Sequence, residues 1–98
     1  MKGYLIANVI ITNPERYERY KAHSEFGGRY LVRGGNLEMV EGDLGLQRFV
    51  ILEFPSLEQA KKFYHSPEYQ KVAEDRMASA TSHIALVEGF HDPSEGAA

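Results

Sequence analysis

Arg76 is the residue whose position promises the most chemistry. Tyr69, Val72, Ala73, Met77 and Ala80 recur at i, i+3, i+4, i+8 and i+11, the apolar stripe of an amphipathic helix. Arg76 falls at i+7, inside that stripe, where an apolar side chain belongs. A guanidinium placed there must pair with a carboxylate, bind an anion, or run its head out to water, because an isolated buried charge is too costly to keep. Arg76 is therefore either half of an ion pair, with Glu53 or another carboxylate, or the anchor for a substrate carboxylate or enolate. Glu53 closes the Phe49-Ile51 face of a strand just before Pro55. It is either a solvated residue at the sheet edge or a carboxylate at a pocket mouth, with a raised pKa suited to general-base work.

Five other residues join these candidates. Arg33 precedes Gly34-Gly35, a pairing that lets backbone and guanidinium approach a ligand together, although a bent strand end with a solvated arginine has the same sequence. His65 sits in the junction Phe63-Tyr64-His65-Ser66-Pro67. It can move a proton near neutrality or simply bond the last carbonyls of its helix. Asn8 is the polar member of the Tyr4-Ile6-Ile10 face of a strand expected to be central. There it must be hydrogen-bonded, to a neighbouring strand or to a ligand. Tyr64 and Tyr69 are expected to pack the apolar part of any substrate. The expected site is thus Arg76, Arg33 and Asn8 for binding, Glu53 or His65 for proton transfer, and Tyr64 and Tyr69 for packing.

Other chemistries lack their residues. The chain has no cysteine, which excludes disulfides, thiolate metal sites and cysteine nucleophiles. His23, His65, His83 and His91 show no metal-ligand spacing, and no nucleophile elbow or dinucleotide fingerprint is present. No metal and no cofactor is expected.

The elements that must position these residues follow from period and punctuation. Gly3 to Ile11 reads as a strand. Asn13 caps a helix with Pro14 in its first position, Tyr17, Tyr20 and Ser24 on one face, and Gly27-Gly28 as its stop. Arg29 to Arg33 is a short strand, broken or bulged at Gly34-Gly35 and resumed over Leu37 to Glu41. A turn at 42–45 leads into a strand from Leu46 to Phe54. Ser56 caps a helix with Gln59 three residues on, and Ser66-Pro67 opens another. His83 to Phe90 is the last strand. This order predicts an α+β, ferredoxin-like split β-α-β fold: a four-stranded antiparallel sheet with helices on one face.

Both faces of that sheet are apolar. Leu5, Ala7, Val9 and Ile11 alternate with Tyr4, Ile6 and Ile10; Phe49 and Ile51 alternate with Val50, Leu52 and Phe54; Ile84 and Leu86 alternate with Ala85 and Val87. The helices cover one face, and a bare apolar patch of this size is unusual on a monomer. A homodimer packed through the open sheet face is expected.

With 98 residues, the chain is read as one domain over 1–91 and a flexible tail over 92–98. Hydrophobic residues at 43% and charged residues at 26% exclude disorder. A net charge of −3 argues against nucleic-acid partners. No segment suits a membrane span or a cleaved leader, so a cytoplasmic location is expected.

Several segments together resemble a known family: Lys2-Gly3-Tyr4, Phe26-Gly27-Gly28-Arg29-Tyr30-Leu31-Val32-Arg33-Gly34-Gly35, Val50-Ile51-Leu52-Glu53-Phe54-Pro55-Ser56, Phe63-Tyr64-His65-Ser66-Pro67-Glu68-Tyr69-Gln70 and Val87-Glu88-Gly89. They resemble the bacterial domain-of-unknown-function family 1330, DUF1330, from residue 2 to about residue 90. The resemblance implies membership of the dimeric α-β barrel group, with the same sheet and the same dimer. The wider relatives it implies include cofactor-free monooxygenases, haem-degrading enzymes, chlorite dismutases, and small isomerases and lyases. Arg33, Glu53, Tyr64, His65, Ser66, Tyr69 and Arg76 match the family pattern, which assigns them no role. Only six residues, Lys21 to Phe26, separate Tyr20 from Gly27-Gly28. Members carry a longer stretch there, so a lower pocket wall is implied.

Two functions remain open. One is a cofactor-independent enzyme of monooxygenase, isomerase or lyase type acting on a small acidic or phenolic metabolite. The other is a non-catalytic dimer that binds a small ligand or regulates a partner.

Overall fold

The computed structural model of the chain describes residues 1–23 and 28–90, the side chains of 19–23 excepted. The elements are β1 (Gly3–Ile11), α1 (Pro14–His23), β2 (Arg29–Arg33), β3 (Arg48–Phe54), α2 (Leu57–His65), α3 (Pro67–Ser79) and β4 (Ala80–Glu88). The strands form one antiparallel sheet in the order β2-β3-β1-β4. This is the expected ferredoxin-like α+β arrangement, with β1 and β3 central. Tyr20, Ser24, Gly27, the six-residue stretch before it and the tail over 92–98 fall wholly or in their side chains outside the described residues.

Local chemistry sets the helix starts. Asn13 Oδ1 accepts from the Arg16 amide at 3.2 Å, Ser56 Oγ from the Gln59 amide at 3.1 Å, and Ser66 Oγ from the Tyr69 amide at 3.2 Å. Each such cap stabilises its helix by about 1 kcal/mol. Ser66 also donates to the Phe63 carbonyl at 2.8 Å, so one residue ends α2 and starts α3.

Residue alternation then sorts the sheet faces. Leu5, Ala7 and Val9 of β1 and Val50, Leu52 and Phe54 of β3 are buried under the helices, joined by Tyr17 and Ala60. α2 packs close upon the start of β1: a Cβ on Gly3 would come within 2.5 Å of the Leu57 backbone. The molecule is 17 Å across its thinnest dimension, the depth of one sheet and one layer of helices. Tyr4, Ile6, Ile10, Phe49 and Ile51 point to the other face and are only half-buried, while Val87 is 46% exposed. Among the described residues nothing of this chain covers them.

Three expectations about elements need correction. No strand forms over Leu37 to Glu41, and β3 starts at Arg48 rather than Leu46. Gly34 turns the chain away with φ of 67°, and its amide makes the last rung to Phe49 O at 2.9 Å. β4 runs over 80–88 rather than 83–90, because Ala80 leaves α3 directly in extended backbone and pairs with Ile11. Met77 is not on the inner face of α3 but 56% exposed. The buried residues are Tyr69, Ala73, Arg76 and Ser79, so the face is centred one position earlier and Arg76 lies within it.

Candidate functional site

Arg76 is 5% exposed and faces a cavity between the helices and the sheet. The cavity lies at the end of the sheet where β1 and β2 finish and β3 begins. There Val9 stands opposite Arg48, and Val50 stands opposite Ala7 on one side and Arg33 on the other. Its floor is Leu5, Ala7, Val9, Val50, Leu52 and Ile84. Three guanidiniums line it, from Arg33, Arg48 and Arg76, with the tyrosines Tyr17, Tyr30 and Tyr69 and the ring of Phe63. Among the described residues no carboxylate lines it.

A bulge brings Arg33 to this side. The β2–β3 register shifts between Tyr30 and Val32, so Tyr30 pairs with Leu52 and Arg33 with Val50, both on the helix face. In a regular strand, residues three apart point to opposite faces. Arg33 then stacks over the Tyr30 ring, its Cζ 4.3 Å from the centroid. Exposed Arg33, half-buried Arg48 and buried Arg76 form a graded series of cations from rim to interior.

Arg48 and Tyr17 interact inside the cavity. The Arg48 Cζ lies 5.6 Å from the Tyr17 ring centroid, close enough for its charge to act on the phenol. Burial pushes the Tyr17 pKa above 10.0, with Arg48 and Arg76 opposing the rise. The Arg48 Nε is buried and has no hydrogen-bond partner among the described residues. It is a donor suited to an oxyanion.

The volume open to water centres is about 30 Å³, room for about two waters. The aromatic wall is continuous behind it. Phe63 packs on Phe54 at 5.2 Å and on Tyr69 at 4.6 Å between centroids.

The sequence-predicted residues divide between two places. Arg76, Arg33 and Tyr69 meet in the cavity. Tyr64 packs behind Tyr69 at 5.6 Å and does not line it, and exposed His65 sets its ring edge-on to Tyr64 at 5.2 Å. Glu53 is on the opposite face of the sheet, so the sheet separates it from Arg76. It accepts from Tyr4 Oη at 3.3 Å and lies 3.5 Å from Lys2 Nζ and 4.0 Å from Arg29 Nε, with its side chain 15% exposed. Asn8 is also on the open face, and its two bonds fasten the 42–47 segment: Nδ2 donates to Gly45 O at 3.0 Å, and Oδ1 accepts from Gln47 N at 2.8 Å. Beside it Ile6, Phe49, His83 and Ala85 line a shallow groove of about 250 Å³.

Sequence reasoning missed Arg48, Tyr17 and Tyr30 as site residues. Arg48 had a readable signal, since it precedes Val50, Leu52 and Phe54 at two-residue spacing and so shares their inward face. Among the described residues no cluster of His, Asp and Glu could hold a metal ion. No described helix is long and apolar enough to cross a membrane.

A family model described as "Domain of unknown function (DUF1330)" matches residues 2–90. No curated protein matches the chain. Among solved structures, the RPA0582 protein of unknown function from Rhodopseudomonas palustris is similar, with a TM-score of 0.72 and 17% identity over 93% of this chain and 84% of that one. SnoaB, a cofactor-independent oxygenase from Streptomyces nogalater, gives a TM-score of 0.63 and 15% identity over 94% of this chain and 96% of that one. Rv0793 from Mycobacterium tuberculosis gives a TM-score of 0.52 and 15% identity over 95% and 99%. At these identities the likeness is one of fold.

Proposed function

The chain belongs to the DUF1330 family, whose function is unknown, and from that premise and the cavity's make-up we propose that it is a homodimer that binds a compact organic anion on the helix side of each sheet. The observation that carries this reading is the set of lining residues: among the described residues, three guanidiniums and three phenols stand on apolar walls, with no carboxylate beside them. In such walls a charge-assisted bond to an oxyanion is strong, and the apolar floor takes the carbon skeleton. Carboxylates, phenolates and enolates are the fitting class. An aromatic member needs more room than 30 Å³, which is gained by swinging the exposed Arg33 off Tyr30. The dimer reading rests on the apolar open face, which a second copy would cover.

A second reading adds catalysis. Its supports are the fold shared with SnoaB, described as a cofactor-independent oxygenase, and the electrostatics of the cavity. Three guanidiniums stabilise a phenolate or enolate that enters as the anion, although at Tyr17 burial outweighs Arg48 and Arg76 and keeps the phenol protonated. Glu53, across the sheet, and His65, on the surface, are then not the proton acceptors. In that case the electron-rich anion itself reduces dioxygen, and oxygen uptake dependent on the bound anion is the assay.

The test is thermal unfolding of the dimer against anions graded in size from formate to salicylate, with Arg76→Ala beside the native chain. A ligand at 100 times its Kd adds about 2.7 kcal/mol, a rise in midpoint of roughly 10 °C for a domain this size. A rise that is absent in Arg76→Ala supports the anion site. No rise with any anion in a folded native dimer contradicts it.

A further inference from the structure

Gly34 ends β2 with φ of 67°, and the space beside it is already filled. An ideal Cβ there would lie 2.2 Å from Arg48 Nη1 and 2.8 Å from Arg48 Cζ. Gly42 and Gly45 turn the chain at φ of 70° and 65°, yet a Cβ on either meets nothing within 4 Å. Backbone sign accounts for the glycines at 42 and 45. At 34 a second demand is added, and it comes from the guanidinium of a residue that lines the cavity.

We infer that Gly34 is a positioning residue for the anion site: by leaving vacant the volume of a side chain, it lets the Arg48 guanidinium lie against β2 and face the cavity. The inference rests on reading that cavity as an anion site. The atoms a Cβ would strike are the far end of a flexible side chain, not backbone. A substitution at 34 therefore moves Arg48 and spares the sheet. Displacing Arg48 takes from the cavity one of its three cations and the buried Nε donor. It also takes from Tyr17 the neighbouring charge that opposes the effect of burial. The two glycines after Arg33 thus differ in use. A Cβ on Gly35 meets nothing within 4 Å, whereas Gly34 serves an arginine fourteen positions along the chain, across the β2–β3 pair.

The experiment compares Gly34→Asn, Gly42→Ala and Arg48→Ala in the full chain, with salicylate affinity measured by titration calorimetry. Asparagine tolerates positive φ, so Gly34→Asn adds the Cβ with little backbone strain, and Gly42→Ala adds strain without the contact. Gly34→Asn is expected to weaken salicylate roughly tenfold, the size of one lost charge-assisted bond, and Gly42→Ala to leave affinity unchanged. In an Arg48→Ala background, Gly34→Asn should cost nothing more, since both act through one side chain. Tyrosinate absorbance, read as the difference from Tyr17→Phe, gives a readout independent of ligand. The Tyr17 phenol should titrate higher in Gly34→Asn and Arg48→Ala and be unmoved in Gly42→Ala. Native-like affinity in Gly34→Asn, or an equal loss in the Arg48→Ala background, overturns the inference. If the native protein fails to bind salicylate, the anion reading loses its support, and an unmoved Tyr17 titration in Gly34→Asn still overturns the positioning role by itself.

Discussion

On the helix side of the sheet, the polar side chains reaching the cavity are Arg33, Arg48, Arg76 and three tyrosines. On the open side, Glu53 is held by Tyr4 and flanked by Lys2 and Arg29, and Asn8 is spent on the Gly45 and Gln47 backbone. The two faces carry similar apolar residues but use their polar ones differently. Glu53 and Asn8 on the open face are answered within the chain, and an apolar surface lies beside them. On the helix side, cations are concentrated around a cavity that no carboxylate lines among the described residues. The first arrangement suits a protein surface as its partner, the second a small anion.

The largest expected effect breaks the open face. Ile51→Lys puts a charge in the half-buried centre of that face. Sedimentation should then show the native chain as a dimer and Ile51→Lys as a monomer, because a desolvated unpaired charge at a packed interface is strongly disfavoured. A dimer that survives this change would place the interface elsewhere.

Next in size is the separation between the faces. Glu53→Gln should leave salicylate affinity within twofold of native, since the sheet stands between it and the cavity, while Arg48→Ala should weaken it roughly tenfold. Equal losses would mean that the two faces act on one ligand.

A smaller effect concerns Tyr17. Its folded pKa is raised above 10.0, chiefly by burial. The protonated phenol is thus favoured in the folded state, and its stabilising contribution is complete below pH 10. That contribution falls as pH climbs through the raised folded value, because the unfolded chain ionises first. Urea unfolding should show stability dropping above pH 10, with a shallower drop in Tyr17→Phe.

The smallest is Asn8→Ala, which removes two hydrogen bonds to the 42–47 segment. A loss of about 1 kcal/mol is expected, with faster amide exchange at Gly45 and Gln47 and no change in salicylate affinity.

Much of this was legible in the sequence. Cap-then-proline signals placed α1 and α3, and alternation placed β1 and β3, because both depend on neighbours in the chain. The intrusion of Arg76 into an apolar stripe identified a buried guanidinium that the structure places at the cavity. Which face Glu53 and Asn8 occupy was less legible, because strand parity gives two sides without saying which one the helices cover. Tyr4 beside Glu53 in register, and the 42–47 segment beside Asn8, are long-range neighbours that no local pattern shows. Arg33 escaped parity altogether, since the bulge after Tyr30 reverses its side. Met77 and Arg76 exchanged places because small Ala73 and Ser79 let α3 approach along a face one position earlier than the apolar stripe suggests.

The account turns on an anion bound at the helix-side arginines, and the most direct measurement is a crystal structure of the native protein grown with a brominated salicylate, located by its anomalous signal. The account predicts bromine between the helices and the sheet, with the carboxylate within hydrogen-bond distance of Arg48 and Arg76. Bromine in the open-face groove beside Phe49 and His83, or none in the helix-side cavity at a concentration that saturates binding in solution, would contradict it.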